Sequence, residues 1–500
     1  MAFFIFLFLL FLFIFTRKMN GEKKGANLPP GPPKLPIIGN LHQLGYMPHR
    51  SFWQLAKQYG PLMHLQLGFA PTLIVSSAKM AEEILKIHDL EFCSRPSLVG
   101  PKKLSYNFKD IAFSPYTEYW REMRKTCVLE LFSSKRVQTL KFIREDEVSL
   151  MIHSISTSSS SSPTEGSINL NEVMLSLVNN IICRIAFGQR HQEVCQRSRF
   201  QDILQEAQAL LGGFYVEDYF PSLGWVIDIL SGQHGKLEKN FKELDEFYEQ
   251  IISDHLNPGR PESDHEDIVD VLLRIEKEQS GSIHFTKEHI KAVIMDIFIA
   301  GTDTATAALV WGMAELIKKP TVMKKAQDEV RSLIGTKGKV EESDLDQLGY
   351  VKSVVKEILR MHPPGPLLAP RETRFHCKID GYDVYPKTRV IVSPWAIGRD
   401  PEAWENPDEF FPERFLGSSI NFIGLHFQLV PLGAGRRGCP GIYLGPVIVQ
   451  LALANLLYAF DWELPSGISM EDIDMEEAPG LTTHKKSSLC LVPKLPKSNI

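Results

Sequence analysis

Apolar residues recur at helical spacing along most of the chain, and two segments depart from this pattern. Met63 to Val75 alternates apolar and polar residues around Gly68 and Pro71, which predicts a β-hairpin. Phe375 to Val392 carries turn residues between short apolar runs, which predicts several short strands. The pattern therefore predicts a mainly α chain with a small β region near each end of its body.

The longest helix that the pattern predicts has Thr286 as its N-cap and continues to Lys319, because Pro320 stops it. A helix of that length crosses a whole domain and can carry functional groups through the core. One face holds apolar side chains and a single hydroxyl at spacings of three and four, namely Val293, Ile297, Ala300, Thr304, Ala308 and Trp311.

Two connecting segments have unusual compositions. Ser154 to Pro163 is nearly all Ser and Thr, which cannot form a packed core and predicts a surface loop. Tyr219 to Leu230 is strongly apolar for a connection. Core packing is the favoured interpretation of this second segment, and a membrane contact is the alternative.

The N-terminus carries an apolar run, Ala2 to Phe15, which is followed by basic residues. No small-residue cleavage site follows the run, so a retained membrane anchor over residues 1–16 is favoured over a signal peptide. Lys and Arg after the run place the remainder of the chain in the cytosol by the positive-inside rule, and these residues are Arg17, Lys18, Lys23 and Lys24.

A proline-rich segment, Leu28 to Pro33, follows the basic patch and favours a stiff, extended backbone. We expect it to set the distance between the bilayer and the body. The predicted organisation is an anchor over residues 1–16, a basic patch and hinge over 17–40, and a cytosolic body over 41–500.

Composition excludes several classes of protein. A hydrophobic content of 44% and a charged content of 23% describe an ordinary globular chain. The formal net charge of -5 gives no basic footprint for a nucleic acid, so no nucleic-acid partner is expected. Seven cysteines without a C-x-x-C pair argue against a disulfide framework and a multi-cysteine zinc site, and favour a reducing compartment.

A glycine-rich segment, Pro431 to Gly441, carries the most informative chemistry. Gly433 to Gly438 fits the G-x-G-x-x-G dinucleotide pattern, and Asp461 follows where a ribose-binding acid could lie. That interpretation is disfavoured, because its helix would have to pass through two prolines and the surrounding chain lacks alternating strands and helices.

The second interpretation of this segment starts a helix after Cys439, with Pro440 in its first position. The positive helix end, together with Arg436 and Arg437, would then lower the pKa of the Cys439 thiol, so we expect a thiolate. A hydrogen-bonded thiolate suits the proximal position of a haem iron. An inert buried cysteine would not explain the arginines and glycines around it.

Over essentially all of its length, the chain resembles the cytochrome P-450 superfamily of haem-thiolate monooxygenases, and particularly the plant endoplasmic-reticulum members. The haem-loop signature F-x-x-G-x-R-x-C-x-G is matched by Gly435, Arg437, Cys439 and Gly441, whereas Leu432 stands in place of Phe. The resemblance implies a mainly α cytochrome P-450 fold: a large helical region around haem, a smaller β-containing N-terminal lobe and an N-terminal membrane anchor helix. It implies Cys439 as the iron ligand.

Two further features concern the elements on either side of the haem. Ala300 to Thr304 resembles the oxygen-activation segment of the family, which implies proton relay by Asp303 and Thr304, and cofactor contact by Ala300 and a helix bulge at Gly301. Without this context, Thr304 would most often bond its own helix backbone. Position 305 is Ala where the family usually has Thr or Ser.

The helix after Cys439 contains a second departure, Pro446. A proline inside a helix lowers its stability by about 3 kcal/mol unless the helix kinks.

Paired charges carry two more parts of the resemblance. Glu357 and Arg360 would, alone, be a surface pair worth about 0.2–0.5 kcal/mol. In the family such a pair joins an arginine, here Arg414, in a buried structural network. Haem propionate contacts are implied for Trp120, Arg124, Arg371 and Arg437.

The resemblance implies O₂-dependent monooxygenation of a lipophilic plant specialised metabolite, with terpenoids ahead of phenolics and alkaloids. It implies haem b, with O₂ and NADPH as co-substrates, a separate NADPH-cytochrome P-450 reductase, and a single-pass endoplasmic reticulum protein facing the cytosol. Rearrangement, dehydration or oxidative coupling is the alternative chemistry, and a non-enzymatic haem-binding membrane protein is the other class. Substrate contacts are implied for Leu98–Phe113, Ile297, Ala300, Leu367–Ala369 and Leu481–Thr482.

Overall fold

The structure is a computed structural model that describes residues 27–160, 166–190, 199–260, 265–279 and 283–496. The predicted anchor over residues 1–16 and the basic patch that follows it lie outside the described residues. The first described residues contact the body, since the Pro30 carbonyl accepts the His64 N–H at 2.9 Å and the Asn40 side chain donates to the Pro32 and Pro33 carbonyls.

Helices form most of the described chain, which confirms the mainly α class. In chain order they are α1 (Pro48–Tyr59), α2 (Ala78–Glu82), α3 (Asp89–Phe92), α4 (Val99–Leu104), α5 (Glu118–Glu130), α6 (Ser134–Thr139), α7 (Lys141–Ser160), α8 (Leu170–Phe187), α9 (Phe200–Leu211), α10 (Gly224–Leu230), α11 (Gln233–Leu256), α12 (Ile268–Glu278), α13 (Lys287–Lys318), α14 (Pro320–Ile334), α15 (Gly349–Met361), α16 (Pro394–Ile397) and α17 (Gly445–Ala459).

The strands are short. They are β1 (Leu62–Leu67), β2 (Ala70–Val75), β3 (Ile168–Asn169), β4 (Arg371–Glu372), β5 (Cys377–Ile379), β6 (Tyr382–Val384), β7 (Arg389–Val392), β8 (Asp461–Glu463), β9 (Glu477–Ala478), β10 (His484–Lys485) and β11 (Cys490–Lys494). Both predicted β segments are confirmed. Strand β7 of the second segment joins the first hairpin in a sheet of order β1-β2-β7-β4, in which β2 runs parallel to β7 and Thr72 lies opposite Arg389. Strands β5 and β6 pair with each other in a separate two-stranded sheet.

The predicted long helix is confirmed as α13, which begins after Thr286 and ends before Pro320. Thr286 and His289 form a capping box at its start. Helix α13 packs against α8 and α17 in the main hydrophobic core. Among the described residues, α8 and α13 are long and apolar enough to cross a membrane, but 61% and 72% of their apolar windows are buried, as in core helices.

Two local predictions were wrong. The Ser/Thr-rich segment is helical up to Ser160, where its described part ends, and Ile155 is buried in the core. The hydroxyls of Ser156 and Thr157 are satisfied within the helix, because they donate to backbone carbonyls four residues earlier. Pro446 causes no irregularity, because α17 begins at Gly445 and the proline lies in its first turn, where it removes no helical hydrogen bond.

The apolar segment around α10 does not pack into the core as favoured from the sequence. Five of its large apolar side chains are exposed, up to 82% for Leu230. The others are Leu223, Trp225, Ile227 and Ile229. The segment is connected to the first hairpin, because the Phe69 N–H donates to the Tyr219 carbonyl at 2.8 Å.

Candidate functional site

The loop before α17 brings Cys439 to a fixed position. The Cys439 N–H donates to the Leu432 carbonyl at 2.9 Å, and the Gly438 N–H donates to the Gly435 carbonyl at 3.0 Å. Gly433 and Gly435 adopt positive φ angles of 67° and 69°, which glycine tolerates best. A Cβ at Gly435 would lie 2.3 Å from the carbonyl oxygen of Leu85, so glycine also permits this close backbone approach.

The electrostatics around Cys439 differ from the sequence-based expectation. Burial raises the pKa of the Cys439 thiol, and the Gly441 N–H and the Arg124 charge oppose this effect. The expected contribution of a helix start is missing, because α17 begins at Gly445 and not at Pro440. A thiolate here therefore needs a further positive partner, which a metal ion supplies when it binds a thiol.

The two arginines before Cys439 do not face its sulfur, contrary to expectation. Arg436 donates from its backbone and its guanidinium to Asp89, each at 2.9 Å. Arg437 is buried and donates to the carbonyls of Cys93 at 2.7 Å and Ser114 at 2.6 Å. The positions of these acceptors direct both side chains away from the thiol.

Four arginines converge beside the Cys439 loop. Arg437 stacks on Trp120, Arg124 donates to the Gly438 carbonyl, and Arg371 donates to the Ala434 carbonyl at 2.8 Å. The fourth is Arg95, which donates to the carbonyls of Ala112, Ala369 and Pro370. The structure thus brings together Trp120, Arg124, Arg371 and Arg437, the residues for which the resemblance implies propionate contacts.

Burial makes this arginine cluster electrostatically unfavourable without an anion. It lowers the pKa of all four guanidinium groups, with Arg437 at about 9 and Arg95 well below its usual value. The charges of the neighbouring arginines lower them further. Among nearby carboxylates, Asp89 accepts a hydrogen bond from Arg371 at 3.0 Å, and it also accepts one from Arg436 at 2.9 Å. The excess buried positive charge suits an anionic ligand such as the two propionates of haem.

Helix α13 has an accessible segment within an otherwise buried helix. Ala300 is exposed, and Gly301, Asp303 and Thr304 are partly accessible, whereas most of the helix is buried. The Thr304 hydroxyl donates to the Ala300 carbonyl at 2.7 Å. Thr304 therefore bonds its own helix backbone, as the alternative interpretation predicted. The lone pairs of its hydroxyl oxygen remain free to accept a hydrogen bond.

Gly301 contributes to helix packing. A Cβ at this position would lie 3.0 Å from Cδ1 of Ile182 on α8, which is tighter than ordinary packing. The bulge expected at Gly301 is absent, because α13 keeps α-helical geometry throughout Lys287–Lys318. The glycine therefore permits the close approach of α8 and α13.

Asp303 has a partner from another part of the chain. Oδ2 of Asp303 lies 2.8 Å from Nε2 of His484 on β10. Asp303 is the more buried of the two side chains, 16% exposed against 35% for His484. This contact fixes the carboxylate beside Thr304.

These observations fit the haem implied by the sequence. Cys439 offers a thiol sulfur on a residue that is only partly buried. The arginine cluster offers partners for propionates, and the accessible segment of α13 offers an acid and a hydroxyl. The donor set is a soft sulfur ligand beside buried cations, as a haem-thiolate site requires.

The predicted network around Glu357 is confirmed. Arg360 donates to both Glu357 oxygens at 2.8 Å, and Arg414 donates to Oε1 at 3.1 Å. Glu357 and Arg360 are fully buried, and Arg360 also donates to three backbone carbonyls. The network joins α15 to the segment before the Cys439 loop, and the surface-pair interpretation is wrong.

The segments predicted to contact substrate are tied to the same core. Oδ2 of Asp296, on α13, accepts the N–H groups of Ile111 and Ala112 at 2.8 and 3.3 Å. Arg95 binds the Ala369 carbonyl, which fixes the turn after Leu368, itself at a positive φ of 51°. These bonds hold two predicted substrate segments against the site.

The dinucleotide-binding interpretation is wrong for this segment. Asp461 lies on β8, which pairs antiparallel with β11, and its carboxylate forms an ion pair with Arg331 at 2.8 Å. Gly433 to Gly438 does not connect a parallel strand to a helix in the described chain.

Three contributing residues were missed from the sequence: Arg95, Asp296 and His484. Each acts through partners that are distant in the sequence, 181 positions apart for Asp303 and His484. Asp296 is a charged residue on an apolar helix, and Arg95 directly precedes a proline. Because charged residues are rarely buried without a partner, these positions could have been noticed in the sequence.

Comparison with known proteins gives consistent matches. The family model described as Cytochrome P450 matches residues 29–492. Cytochrome P450 71A9 of Glycine max is 52% identical over 479 residues, which cover 95% of this chain and 94% of the relative. Cytochrome P450 71B35 of Arabidopsis thaliana is 47% identical over 497 residues, which cover 99% of this chain and 98% of the relative.

The architecture is also similar to a solved structure. A zebra fish cytochrome P450 with abiraterone superposes with a TM-score of 0.73 at 26% sequence identity. The match covers 90% of this chain and all of that chain. The fold expected from the motifs is therefore confirmed.

Proposed function

Because the chain belongs to the cytochrome P450 family, it is a haem-containing monooxygenase, and we propose that Cys439 binds the haem iron while Asp303 and Thr304 deliver protons during oxygen insertion. Haem b, once bound, supplies the activation of dioxygen. The observation that supports the proton role is the accessible acid and hydroxyl on the otherwise buried helix α13.

The chain's own residues have separate proposed tasks. Cys439 donates its sulfur to iron, and the Gly441 N–H stabilises the negative charge that develops on it. Trp120, Arg124, Arg371 and Arg437 hold the propionates. The remaining proposed cofactor contacts lie along the two elements that face the haem, and they are Ala300, Gly301, Leu432, Gly435 and Gly441.

Thr304 and Asp303 are positioned for proton transfer by different means. The Thr304 hydroxyl can rotate away from the Ala300 carbonyl, which would free its hydrogen for donation to a group bound against this helix. Asp303 directly precedes Thr304 on the helix, and it supplies a carboxylic acid that is held by His484. Such a pair can pass protons inward while the surrounding apolar core excludes bulk water.

The test is the fraction of NADPH electrons that reaches product in the enzyme reconstituted with reductase. We expect Thr304→Ala and Asp303→Asn to keep haem but to release more peroxide, whereas Thr306→Ala is the matched control, since its hydroxyl is buried against the Thr302 carbonyl. Labelled O₂ should enter the product. An unchanged product yield in Thr304→Ala contradicts the relay, and unlabelled product would favour rearrangement, dehydration or coupling.

The proposed substrate is a lipophilic plant specialised metabolite, with terpenoids favoured. Its support is the apolar character of the segments around Phe113, Ile297 and Leu367, together with the plant sources of the relatives. A panel of terpenoids, phenolics and alkaloids, screened by the haem spectral shift and then by product analysis, tests this. Turnover of phenolics or alkaloids alone contradicts the terpenoid preference.

We propose that the electrons come from an NADPH-cytochrome P450 reductase that docks beside the Cys439 loop. Exposed Lys86 and Arg436 lie there next to a groove lined by Leu425 and Phe427. Charge reversal by Lys86→Glu should slow the first reduction and make its rate fall less steeply with added salt, because one attractive charge is lost. A reduction rate equal to that of the wild type would contradict this docking face.

We also propose an endoplasmic reticulum location, with residues 1–16 as a single-pass anchor and residues 41–500 as the cytosolic haem-thiolate catalytic domain. The support is the apolar N-terminal run and the exposed apolar side chains around α10. Protease protection of a tagged N-terminus in microsomes tests the orientation. Digestion of that tag in sealed microsomes contradicts it.

A further inference from the structure

His484 engages the Asp303 carboxylate from outside helix α13. Its Nε2 lies 2.8 Å from Oδ2 of Asp303. Among the hydrogen bonds of the described residues, this is the contact that the Asp303 carboxylate makes. A single donor on one oxygen leaves the second oxygen, Oδ1, available to a relay partner.

The backbone that carries His484 is fixed to the same helix that carries Asp303. The Thr483 N–H donates to the Pro364 carbonyl at 2.9 Å. The Thr483 carbonyl accepts Nε1 of Trp311, also at 2.9 Å, and Trp311 lies on α13. His484 and Asp303 are therefore held in one rigid arrangement.

Neighbouring cations do not replace His484 in this contact. Nζ of Lys485 donates to Ser487, and Nζ of Lys486 donates to Glu476 at 2.6 Å. Both lysines are thus engaged along their own segment. The imidazole is the group that this strand offers to Asp303.

We propose that His484 is a positioning residue for the monooxygenase reaction: its Nε2–H holds Oδ2 of Asp303 so that Oδ1 faces the proton relay. This rests on the relay role proposed for Asp303. Without the imidazole, the carboxylate can turn about its side-chain bonds, and misplacement of a catalytic group by about 1 Å can cost two orders of magnitude in rate.

Coupling efficiency in the reconstituted holoenzyme tests the proposal. We expect His484→Leu to release several-fold more peroxide per NADPH, and His484→Gln, which keeps an N–H donor, to restore most of the coupling. His376→Leu is the matched control, since His376 forms a comparable 3.1 Å contact with Asp383 on an exposed hairpin. Wild-type coupling in His484→Leu, or equal uncoupling in His484→Leu and His484→Gln, overturns the proposal.

A second readout does not depend on turnover. In ferric holoenzyme, Asp303→Ala should speed the modification of His484 by diethyl pyrocarbonate, measured by peptide mass spectrometry, because Nε2 loses its acceptor. His376 should react at an unchanged rate. An unchanged rate at His484 overturns the contact itself.

The two proposals fail in different ways. If Asp303→Asn uncouples the enzyme but His484→Leu does not, the relay role stands and the positioning role of His484 is overturned. If Asp303→Asn itself leaves coupling intact, the relay role is overturned and the positioning role with it.

Discussion

Arg437 stacks on Trp120: its guanidinium carbon lies 3.7 Å from the centroid of the indole ring. Both side chains also donate to the Ile111 carbonyl, Trp120 at 2.9 Å and Arg437 at 3.5 Å. The planar guanidinium therefore fills a site that requires stacking and several donors at once.

Arg437→Lys should weaken this arrangement, because lysine keeps the charge but loses the stacked plane and the forked donors. We expect the free energy of unfolding to fall by about 2–4 kcal/mol and haem to be lost faster. Chemical denaturation with haem absorbance measures both. Arg436→Lys, at a half-exposed position, is the control and should change stability by less than about 1 kcal/mol. Equal effects of the two substitutions would contradict the assignment.

The buried carboxyls of Asp110 and Asp296 make stability depend on pH. Burial raises the pKa of Asp110 to about 6 and that of Asp296 well above its usual value. Oδ1 of each is buried without a hydrogen-bond partner, so a proton shared between them would satisfy both. Protonation therefore stabilises the fold, and this contribution is complete below the unfolded pKa of about 3.9 and is lost as pH rises through about 6.

Asp110→Asn should remove part of this dependence. Between about pH 4 and about pH 7, the range that spans this titration, the wild type should lose stability with rising pH more steeply than the variant, by at most about 1.4 kcal/mol per pH unit for one proton. Denaturant titrations across this range measure the difference. Parallel curves for the two proteins would show that Asp110 does not titrate as described.

The Glu357 network should be sensitive to loss of one charge. Glu357→Gln leaves Arg360 and Arg414 without a carboxylate, and removing one member of a buried ion pair costs about 3–5 kcal/mol. We expect little haem-containing protein to accumulate. Asp328→Asn, which breaks the exposed pair of Asp328 with Lys324, should cost less than about 0.5 kcal/mol. A normal yield of folded Glu357→Gln protein would argue against a structural role for the network.

The exposed apolar side chains of α10 predict a membrane contact in addition to the proposed anchor. In nanodiscs, brominated lipid should quench part of the tryptophan fluorescence of the full chain, and Trp225→Phe should remove most of that quenched part. Trp462→Phe is the control, because Trp462 is buried. If Trp225→Phe leaves the quenching unchanged, α10 does not enter the bilayer.

What could be predicted from sequence depended on how local the signal was. Helix α13 and the hairpin around Gly68 follow from periodicity and turn residues within single segments, whereas the Glu357 network was implied by the family resemblance and not by the local pattern. The contact between Asp303 and His484 has no local signal, because it depends on how β10 docks on α13. Local rules also failed at Ser156, whose hydroxyl bonds to the helix backbone, and at Pro446, which lies in the first turn of its helix.

The central claim is that the Cys439 sulfur binds the haem iron, and X-ray absorption at the iron edge of the purified chain tests it most directly. We predict a sulfur atom at bonding distance from iron in the wild type and in Cys93→Ser, and its loss in Cys439→Ser. A purified wild type without porphyrin, or a sulfur signal that persists in Cys439→Ser, would contradict the account.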